Sequence, residues 1–443
     1  MNGPSERLTP TQRLGYGIGD FGINLYFIST LTYLLYFYTD VFGLSAAAAG
    51  GVMLTARIVD AVTDPLMGAI AERTRSRWGR LRPYLLFGAL PLGASAVLSF
   101  ASPEFSDSGK LWWAYLTYIA FSIAFTVVSV PYSALTASLT ADYHERTVLS
   151  TMRMACAFGG GLAISVGMPI LVGLFEAEAE GYLWSMIIFA ALATPLLALT
   201  FAQTEERIQP PATQRLAIRD SLRAVFRNPP LLVVMVMFSC GMLSFTVRQA
   251  VAIYYFKYNL GRADLIETWF LVTLSIMFVG LLFTPKLADR YGKPGGILIG
   301  AVVTIAAALG LHFTPYDEIE LIFLWGCLLA LGGTPIAVLG WAMIPDTVDY
   351  AQARFGARAD GSVFAMSSFF QKLAKALGGA GVAAVLALAG YVANAEQTPA
   401  SLDAIRSLMT LAPAAIMVVM IVAALSYPLS RKAHGKLVAE LGG

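Results

Sequence analysis

Long apolar stretches alternate with short polar breaks along nearly the whole chain. Each stretch extends over about 20 residues, the length that an α-helix needs to cross the hydrocarbon core of a bilayer. The breaks divide the chain into twelve predicted spans, at 14–40, 45–71, 83–102, 111–137, 148–174, 182–202, 231–257, 264–287, 295–314, 319–345, 361–391 and 402–429. The pattern therefore predicts an all-α membrane protein of many spans.

Composition supports this class. Of 443 residues, 57% are hydrophobic and 13% are charged, whereas a soluble domain carries about 25% charged residues. A soluble protein with so many apolar helices would have too little polar surface to cover them. The first dozen residues are polar and lead directly into the first span, so no cleavable signal is expected. The three cysteines, Cys156, Cys240 and Cys327, lie within spans, where no metal-binding spacing is visible.

The basic residues are distributed unevenly between the two sides of the predicted membrane. With a cytoplasmic N-terminus, 22 of the 30 Lys and Arg residues lie in inside segments and four lie in outside loops. Cytoplasmic loops of membrane proteins carry such an excess. We therefore expect a multi-pass protein of the cell inner membrane with both termini in the cytoplasm.

The polar breaks also predict two halves. Residues 1–202 and 231–429 would each form a six-helix bundle, joined by a linker at 203–230 and followed by a cytoplasmic tail at 430–443. The linker contains a basic amphipathic stretch at 215–227, expected as a helix on the membrane surface or as a latch between the halves. The sequences AERTRSRWGR at 71–80 and ADRYGK at 288–293 are similar, and they follow the second and the eighth predicted span, which are equivalent positions in the two halves. Repeated halves indicate a transporter that rocks around a midplane site.

Two aspartates, Asp60 and Asp64, lie inside the second span. Positions four residues apart share a helix face, so both carboxylates point the same way, with Arg57 one turn earlier. An ionised side chain at the bilayer centre costs roughly 2.5–3.5 kcal/mol on insertion scales. The pair therefore indicates a site that binds a cation. Simple pairing with Arg57 or Lys372 is the alternative.

Several motifs resemble one family. The chain is similar to the glycoside–pentoside–hexuronide:cation symporters, a branch of the major facilitator superfamily whose best-known member is the melibiose permease. The matching motifs are YGIGD at 16–20, YTDVFGL at 38–44, the stretch 56–68, RSRWGR at 75–80, PY at 131–132, DTVDY at 346–350, GS at 361–362 and FQKL at 370–373. The resemblance implies twelve helices in two pseudo-symmetric six-helix bundles and cation-coupled import of a sugar by alternating access.

The resemblance also implies a cation site. The family's two cation-binding aspartates match Asp60 and Asp64, and a threonine that assists them matches Thr126. The position before the second aspartate, asparagine in the melibiose permease, is Thr63 here. The coupling ion is Na⁺, with Asp60 and Asp64 as its ligands, or H⁺. No other cofactor is implied.

The sugar side departs from the melibiose permease. That protein's span-one aspartate falls at Asn24, and its span-four aspartate and tryptophan fall at Ser129 and Ser133, whereas its arginine and lysine are retained as Arg153 and Lys372. A site with two positively charged side chains, Arg153 and Lys372, and no carboxylate on span one would accept the negative charge of a hexuronide. A neutral pentoside or glycoside is the other expectation.

Further residues are candidates for the same site or for its gates. Asp20 and Tyr26 share the first span with Asn24, and Asp20 either faces the cavity or satisfies neighbouring helices. Trp341 either stacks on a sugar ring or packs in the core. Gate salt bridges on the cytoplasmic side are expected from Arg73, Asp142, Arg146, Asp346, Asp349 and Arg358.

Other functional classes have weaker support. An enzyme would need a nucleophile–base pair or a metal cluster, yet the three histidines fall in predicted loops or at span ends. A channel would show a pore-lining repeat. A carrier of a lysolipid or another amphiphile on the same scaffold is the closest alternative, and polar convergence of Asn24, Arg153 and Lys372 would favour sugar instead. We expect a monomer in the lipid bilayer whose partners are a sugar and a cation, with no nucleic acid.

Overall fold

The computed structural model describes residues 8–208, 226–356, 358–392 and 395–442, and these contain helices but no strand. The prediction of an all-α chain is therefore confirmed. The helices in chain order are α1 (Pro10–Tyr36), α2 (Ala46–Arg73), α3 (Arg82–Ser99), α4 (Asp107–Leu139), α5 (Tyr143–Val172), α6 (Glu178–Gln203), α7 (Pro229–Tyr254), α8 (Ile266–Phe313), α9 (Ile319–Phe355), α10 (Asp360–Leu388), α11 (Pro399–Met409), α12 (Leu411–Leu425) and α13 (Arg431–Gly442).

Side-chain caps fix where many helices begin. Thr9 forms a capping box with Gln12 at the start of α1, and Ser45 and Ser106 accept from backbone N–H groups at the starts of α2 and α4. Asn228 does the same at α7. Each cap satisfies a backbone donor that the helix leaves unpaired and is worth about 1 kcal/mol.

Within the described residues, nine helical stretches are long and apolar enough to cross a membrane. One of them includes α8, which covers the predicted spans 264–287 and 295–314 almost completely. The two spans were predicted as separate helices, and α8 consists of two helical parts separated at Gly292, whose φ of 76° and ψ of 164° are not helical. Glycine adopts this positive φ without steric cost, so the chain can turn between the two parts. The helices α2 and α3 coincide with further predicted spans.

The span predicted at 402–429 corresponds to the apolar stretch Pro399–Leu425. Within this stretch Thr410, with φ of −123° and ψ of −69°, separates α11 from α12. The tail contains the helix α13, which was not predicted. The surface helix expected at 215–227 falls almost entirely outside the described residues.

The chain forms two compact units. The first comprises Met1–Val225 with Arg354–Phe369, and the second comprises Phe226–Ala353 with Phe370–Gly443. The helix α10 is therefore divided, because its residues up to Phe369 pack in the first unit. The predicted limits assigned all of this helix to the second half, and the grouping into two six-helix bundles stays a prediction.

Small residues let α1 and α5 approach closely in the first unit. A Cβ added at Gly160 would lie 2.8 Å from the carbonyl oxygen of Phe21, and one added at Gly17 would lie 3.2 Å from Cys156 Sγ. Such backbone approach is typical of helix contacts in membranes. It brings the polar residues of α1 directly against α5.

The second unit has an aromatic core. Tyr255 and Phe256, which follow α7, are fully buried together with Trp269 and Leu311 of α8. The rings of Phe256 and Trp269 have their centroids 5.1 Å apart.

Candidate functional site

The two aspartates of α2 face a matching pair of hydroxyl groups on α4. Asp60 is 6% exposed and Asp64 is fully buried. Ser122 Oγ donates to Asp60 Oδ1 in a short hydrogen bond, and Thr126 Oγ1 donates to Asp64 Oδ1 over 2.8 Å. The two aspartates are four residues apart on α2, and the two hydroxyl residues are four residues apart on α4. Two equivalent hydrogen bonds, one helical turn apart, therefore join α2 to α4.

Two more donors reach the same carboxylates within the first unit. Ser368 of α10 donates to Asp64 Oδ2 over 3.2 Å. Arg57 Nη1 lies 3.2 Å from Asp60 Oδ2. The predicted alternative of a pair with Arg57 therefore has a geometric basis for Asp60. Neither Ser122 nor Ser368 was identified from the sequence, although Ser122 precedes Thr126 by the spacing that separates the aspartates.

The two threonines expected to assist the aspartates have different surroundings. Thr126 donates to the carboxylate of Asp64. Thr63 is half-buried, and its hydroxyl donates to the carbonyl oxygen of Val59 on its own helix over 2.9 Å. Because the hydroxyl hydrogen of Thr63 is used in this bond, the lone pairs of its oxygen are what it has to offer a cation. The assisting role of both threonines stays a prediction.

A second polar cluster joins α1 to α5. Asp20 Oδ2 accepts from Arg153 Nε over 3.3 Å, and the exposed fractions of the two residues are 5% and 4%. The Arg153 guanidinium lies 5.0 Å from the centre of the Tyr132 ring, which stacks on Tyr16. Its Nη2 is 3.5 Å from Ser133 Oγ. This contact fits the alternative in which Asp20 satisfies a neighbouring helix, and its part in the sugar site stays a prediction.

The other first-unit candidates divide into neighbours of this cluster and a packing residue. Asn24 is half-buried, and its Nδ2 donates to the carbonyl oxygen of Asp20 over 2.8 Å. Ser129 is half-buried on α4, one turn before Ser133. Tyr26 is fully buried, and its hydroxyl lies 3.0 Å from Thr194 Oγ1 on α6. This contact gives Tyr26 a packing role, and its place in a substrate site stays a prediction.

Two further candidates belong to the second unit. Trp341 is 7% exposed, and its ring meets that of Phe238 edge to face with centroids 5.0 Å apart. This geometry matches the packed alternative considered for Trp341. Lys372 is half-buried on the part of α10 that lies in the second unit.

Arg358, predicted as a gate residue, lies in a buried ionic cluster of the first unit. Its Nη2 donates to the carbonyl oxygen of Ala137 over 2.7 Å, and its Nε is 3.4 Å from Asp360 Oδ2. Arg80 Nη2 lies 2.7 Å from the same carboxylate. Burial alone would lower the pKa of the Arg80 guanidinium, but the charge of Asp360 and its hydrogen bond, together with the charges of Glu206 and Glu72, raise this pKa above its ordinary value. Arg80 and Asp360 were not among the predicted gate residues.

The remaining first-unit gate candidates have local partners. Arg146 is fully buried, and its Nε donates to the carbonyl oxygen of Thr140 over 2.9 Å. Asp142 is the cap of α5 and accepts from the backbone N–H of Glu145 over 2.8 Å. Arg73 is exposed at the end of α2. An ion pair that was not predicted, from Arg13 to Glu145 over 2.5 Å, joins α1 to α5.

The gate candidates of the second unit form an equivalent cluster. Lys293 Nζ lies 2.6 Å from Asp346 Oδ2, and His434 of α13 lies 3.0 Å from Asp349 Oδ2. Like Arg80, Lys293 directly follows a glycine with positive φ, at 102° for Gly79 and 76° for Gly292. The similar sequences at 71–80 and 288–293 therefore form the same local structure in both units. In each, a glycine with positive φ is followed by a buried basic side chain that contacts an aspartate.

Known proteins are similar to this chain over nearly its whole length. A sequence model of the family described as MFS/sugar transport protein matches residues 15–431. The uncharacterized symporter YnaJ of Bacillus subtilis (strain 168) is 37% identical over 441 residues, which cover 98% of this chain and 95% of the relative. The isoprimeverose transporter of Lactiplantibacillus pentosus is 34% identical over 451 residues, which cover 97% and 91%. A protein of Salmonella typhimurium (strain LT2), named as a proposed sulfoquinovose importer, is 31% identical over 422 residues, covering 93% and 88%.

Among solved structures, the proton:xylose symporter XylE bound to 6-bromo-6-deoxy-D-glucose superposes with a TM-score of 0.65 at 15% identity. The alignment covers 96% of this chain and 98% of XylE. At this identity the likeness concerns the fold alone, which is that of the major facilitator superfamily, as predicted. Because the family match and the similarity to symporters extend over nearly the whole chain, the protein is a multi-pass membrane transporter and not an enzyme. The chain belongs to the MFS/sugar transport protein family, and the resemblance to cation-coupled sugar symporters that its motifs carried is confirmed.

Proposed function

We propose that this protein imports a sugar together with a coupling cation, Na⁺ or H⁺, by alternating access. The observation that carries the proposal is the pair of buried carboxylates, Asp60 and Asp64, facing hydroxyl donors on α4. Relatives over the whole length are named as symporters, and one of them as an isoprimeverose transporter.

The atoms around the two aspartates suit a hard cation. Hard cations such as Na⁺ prefer several oxygen ligands. Here the oxygens come from the two carboxylates and from the hydroxyl groups of Ser122, Thr126 and Ser368. A proton needs only one carboxylate. A metal ion that binds Asp60 competes with the guanidinium of Arg57, so its affinity depends on forming enough oxygen contacts to displace that guanidinium.

Cation binding and sugar binding would favour each other. The cation neutralises Asp60 and Asp64 and draws α2 against α4, which makes the surrounding cavity less costly to close. By linkage, the sugar then raises cation affinity by the same factor. The membrane potential adds about 2.3 kcal/mol per charge per 100 mV, enough to drive accumulation.

For the sugar we propose a polar surface on the first unit, formed by Asn24, Arg153, Ser129 and Ser133. Lys372, in the second unit, stays a predicted substrate residue. Asn24 and Arg153 lie on the facing sides of α1 and α5 and are linked through Asp20. This polar surface favours a sugar over a lysolipid, whose carrier would need an apolar lining. The buried ionic clusters at Asp360 and Asp346, with the neighbouring gate candidates, serve as cytoplasmic gates in this proposal. We propose an inner-membrane monomer with both termini in the cytoplasm, which the charge bias supports.

The proposal is tested with purified protein in proteoliposomes. Uptake of labelled isoprimeverose, and of a panel of glycosides, pentoses and hexuronides, is measured with an imposed Na⁺ gradient and, separately, an imposed H⁺ gradient. One gradient should drive accumulation of at least one sugar, and Asp64→Asn should abolish this accumulation. Asp264→Asn, which breaks an exposed ion pair with Arg262, is the control and should transport normally.

Each result of this test has a clear reading. Accumulation by Asp64→Asn equal to that of the unchanged protein would refute the assigned cation site. Absence of any gradient-driven uptake across the panel would refute sugar symport itself. The gradient that drives uptake identifies the coupling ion.

A further inference from the structure

Arg153, a residue of the proposed sugar surface, has an acidic partner within the first unit. Arg153 stands where the melibiose permease also has an arginine. From the sequence alone, its positive charge could bind the carboxylate of an acidic sugar. In the structure Asp20, the last residue of the YGIGD motif on α1, lies 3.3 Å from Arg153 Nε. Both side chains are almost completely buried. A buried charge pair is retained as a unit, because removing either partner leaves an uncompensated charge in a medium of low dielectric constant.

The surroundings hold the guanidinium in this arrangement. Its plane lies near the rings of Tyr132 and Tyr16, with centroid distances of 5.0 Å and 6.0 Å, and its Nη2 points toward Ser133. On the α1 side, the amide of Asn24 is tied to the backbone of Asp20. The surface that α1 and α5 offer to a ligand is therefore polar, and the charges of Asp20 and Arg153 cancel within it.

This charge balance separates neutral from acidic sugars. Hydroxyl groups can exchange hydrogen bonds with Asn24, Ser133 and the guanidinium without adding charge. A carboxylate or sulfonate that approached Arg153 would place a second negative charge beside Asp20, and like charges brought together cost several kcal/mol at an interface. The names of the relatives do not decide this, since they include an uncharged sugar, isoprimeverose, and a sulfonated one, sulfoquinovose.

We propose that Asp20 neutralises Arg153 and thereby makes this transporter selective for uncharged sugars over hexuronides and sulfonated sugars. The proposal rests on the proposed function of sugar symport. It assigns Asp20 a positioning role, since this residue acts on the ligand through Arg153.

The test compares matched pairs of ligands by calorimetry on purified protein at saturating coupling cation. The pairs are methyl glucoside with methyl glucuronide and methyl galactoside with methyl galacturonide, which differ only at C6, supplemented by isoprimeverose and sulfoquinovose. The unchanged protein should bind the neutral member of a pair at least about tenfold more tightly. Preference for the acidic members, or for sulfoquinovose over every neutral sugar, would overturn the proposal.

Substitutions then test the role of Asp20. Asp20→Asn should reduce the neutral-to-acidic affinity ratio by about tenfold or more, because Arg153 is left unbalanced. Asp20→Glu should restore the ratio, and the double variant Asp20→Asn with Arg153→Gln should again favour neutral sugars. A purely structural role for Asp20 would weaken both ligands of a pair equally and leave the ratio unchanged, which would contradict the proposal. Asp264→Asn is the control for removing one carboxylate from an Asp–Arg pair.

Failure of this inference is distinguishable from failure of the proposed function. If no sugar binds with either cation, sugar symport is refuted and the selectivity with it. If acidic sugars bind best, symport stands and only the role of Asp20 is refuted. Should Asp20→Asn fail to fold, the matched ligand pairs on the unchanged protein decide the outcome alone.

Discussion

Ser122 donates a hydrogen bond to a carboxylate that is buried between α2 and α4. Asp60 and Asp64 could be predicted from the sequence, because two charges in an apolar stretch demand a partner. Ser122 could not be predicted with equal force, since serine is common on membrane helices and bonds readily to its own backbone. Its only signal was its spacing from Thr126, which repeats the spacing of the aspartates.

Replacing Ser122 with alanine should weaken cation binding. A hydrogen bond to a charged group contributes about 1.5–3 kcal/mol, and part of this orders the carboxylate of Asp60. We expect the cation concentration for half-maximal uptake to rise roughly fivefold, with sugar affinity at saturating cation unchanged. The control is Ser165→Ala, whose exposed hydroxyl bonds to Gly161 on its own helix. Equal effects of both substitutions would remove Ser122 from the site.

The two threonines provide a comparison within the site. Thr126→Val removes a donor to Asp64, whereas Thr63→Val removes a hydroxyl that donates to its own helix backbone. We expect cation-dependent uptake to fall about tenfold for Thr126→Val and less than about threefold for Thr63→Val. Titration of uptake against Na⁺ and against pH measures both. The reverse order would mean that Thr63 supplies a direct cation ligand through its lone pairs.

At the scale of elements, the contact between α1 and α5 depends on one glycine of a run of three. Three consecutive glycines, Gly159, Gly160 and Gly161, allow close helix approach, but the sequence does not say which of them is at the contact. A Cβ at Gly160 would lie 2.8 Å from backbone, whereas one at Gly161 would meet Ile28 only at 3.9 Å. The relative rotation of two packed helices decides this, and a single sequence does not contain it.

Alanine substitutions in this run should therefore differ in sign or size. Gly160→Ala should destabilise the purified protein by about 1–3 kcal/mol, because α1 must move away from α5. Gly161→Ala should be neutral or stabilising by up to about 1 kcal/mol, since alanine is the better helix former. Melting temperatures in detergent measure both. A melting temperature for Gly160→Ala at or above that of Gly161→Ala would contradict the packing described.

At the scale of the whole molecule, the first part of α10 is held in the first unit by contacts far apart in sequence. Arg80 binds Asp360, and Glu72 accepts from the backbone N–H of Ser362 over 2.7 Å. Gly68 and Gly361 are in close backbone contact. A side chain at either glycine would collide with the carbonyl oxygen of the other. Hydropathy predicts the helices, but partners 280 residues apart along the chain follow only from the fold.

Breaking this ionic cluster should release the first part of α10. Asp360→Asn leaves the guanidinium groups of Arg80 and Arg358 without their shared carboxylate, at a cost of about 3–5 kcal/mol. Hydrogen–deuterium exchange should accelerate at least about tenfold at backbone amides of 360–369. Asp264→Asn, in an exposed pair worth about 0–1 kcal/mol, should leave exchange there unchanged. Unaltered exchange in Asp360→Asn would show that the cluster does not hold this helix.

Glu206, just after α6, accepts from the backbone N–H groups of Arg80, Leu81 and Arg82 at 2.9, 2.7 and 3.1 Å. The next two residues, Arg207 and Ile208, donate to the carbonyl oxygen of Ser138. The apolar span of α6 ends at Gln203, yet the chain is still bonded to the first unit as far as Ile208. A fusion partner inserted at the end of the apolar span would cut this attachment and expose three backbone donors, whereas one inserted after Ile208 would keep it. An engineered chimera of this transporter should therefore be spliced after Ile208.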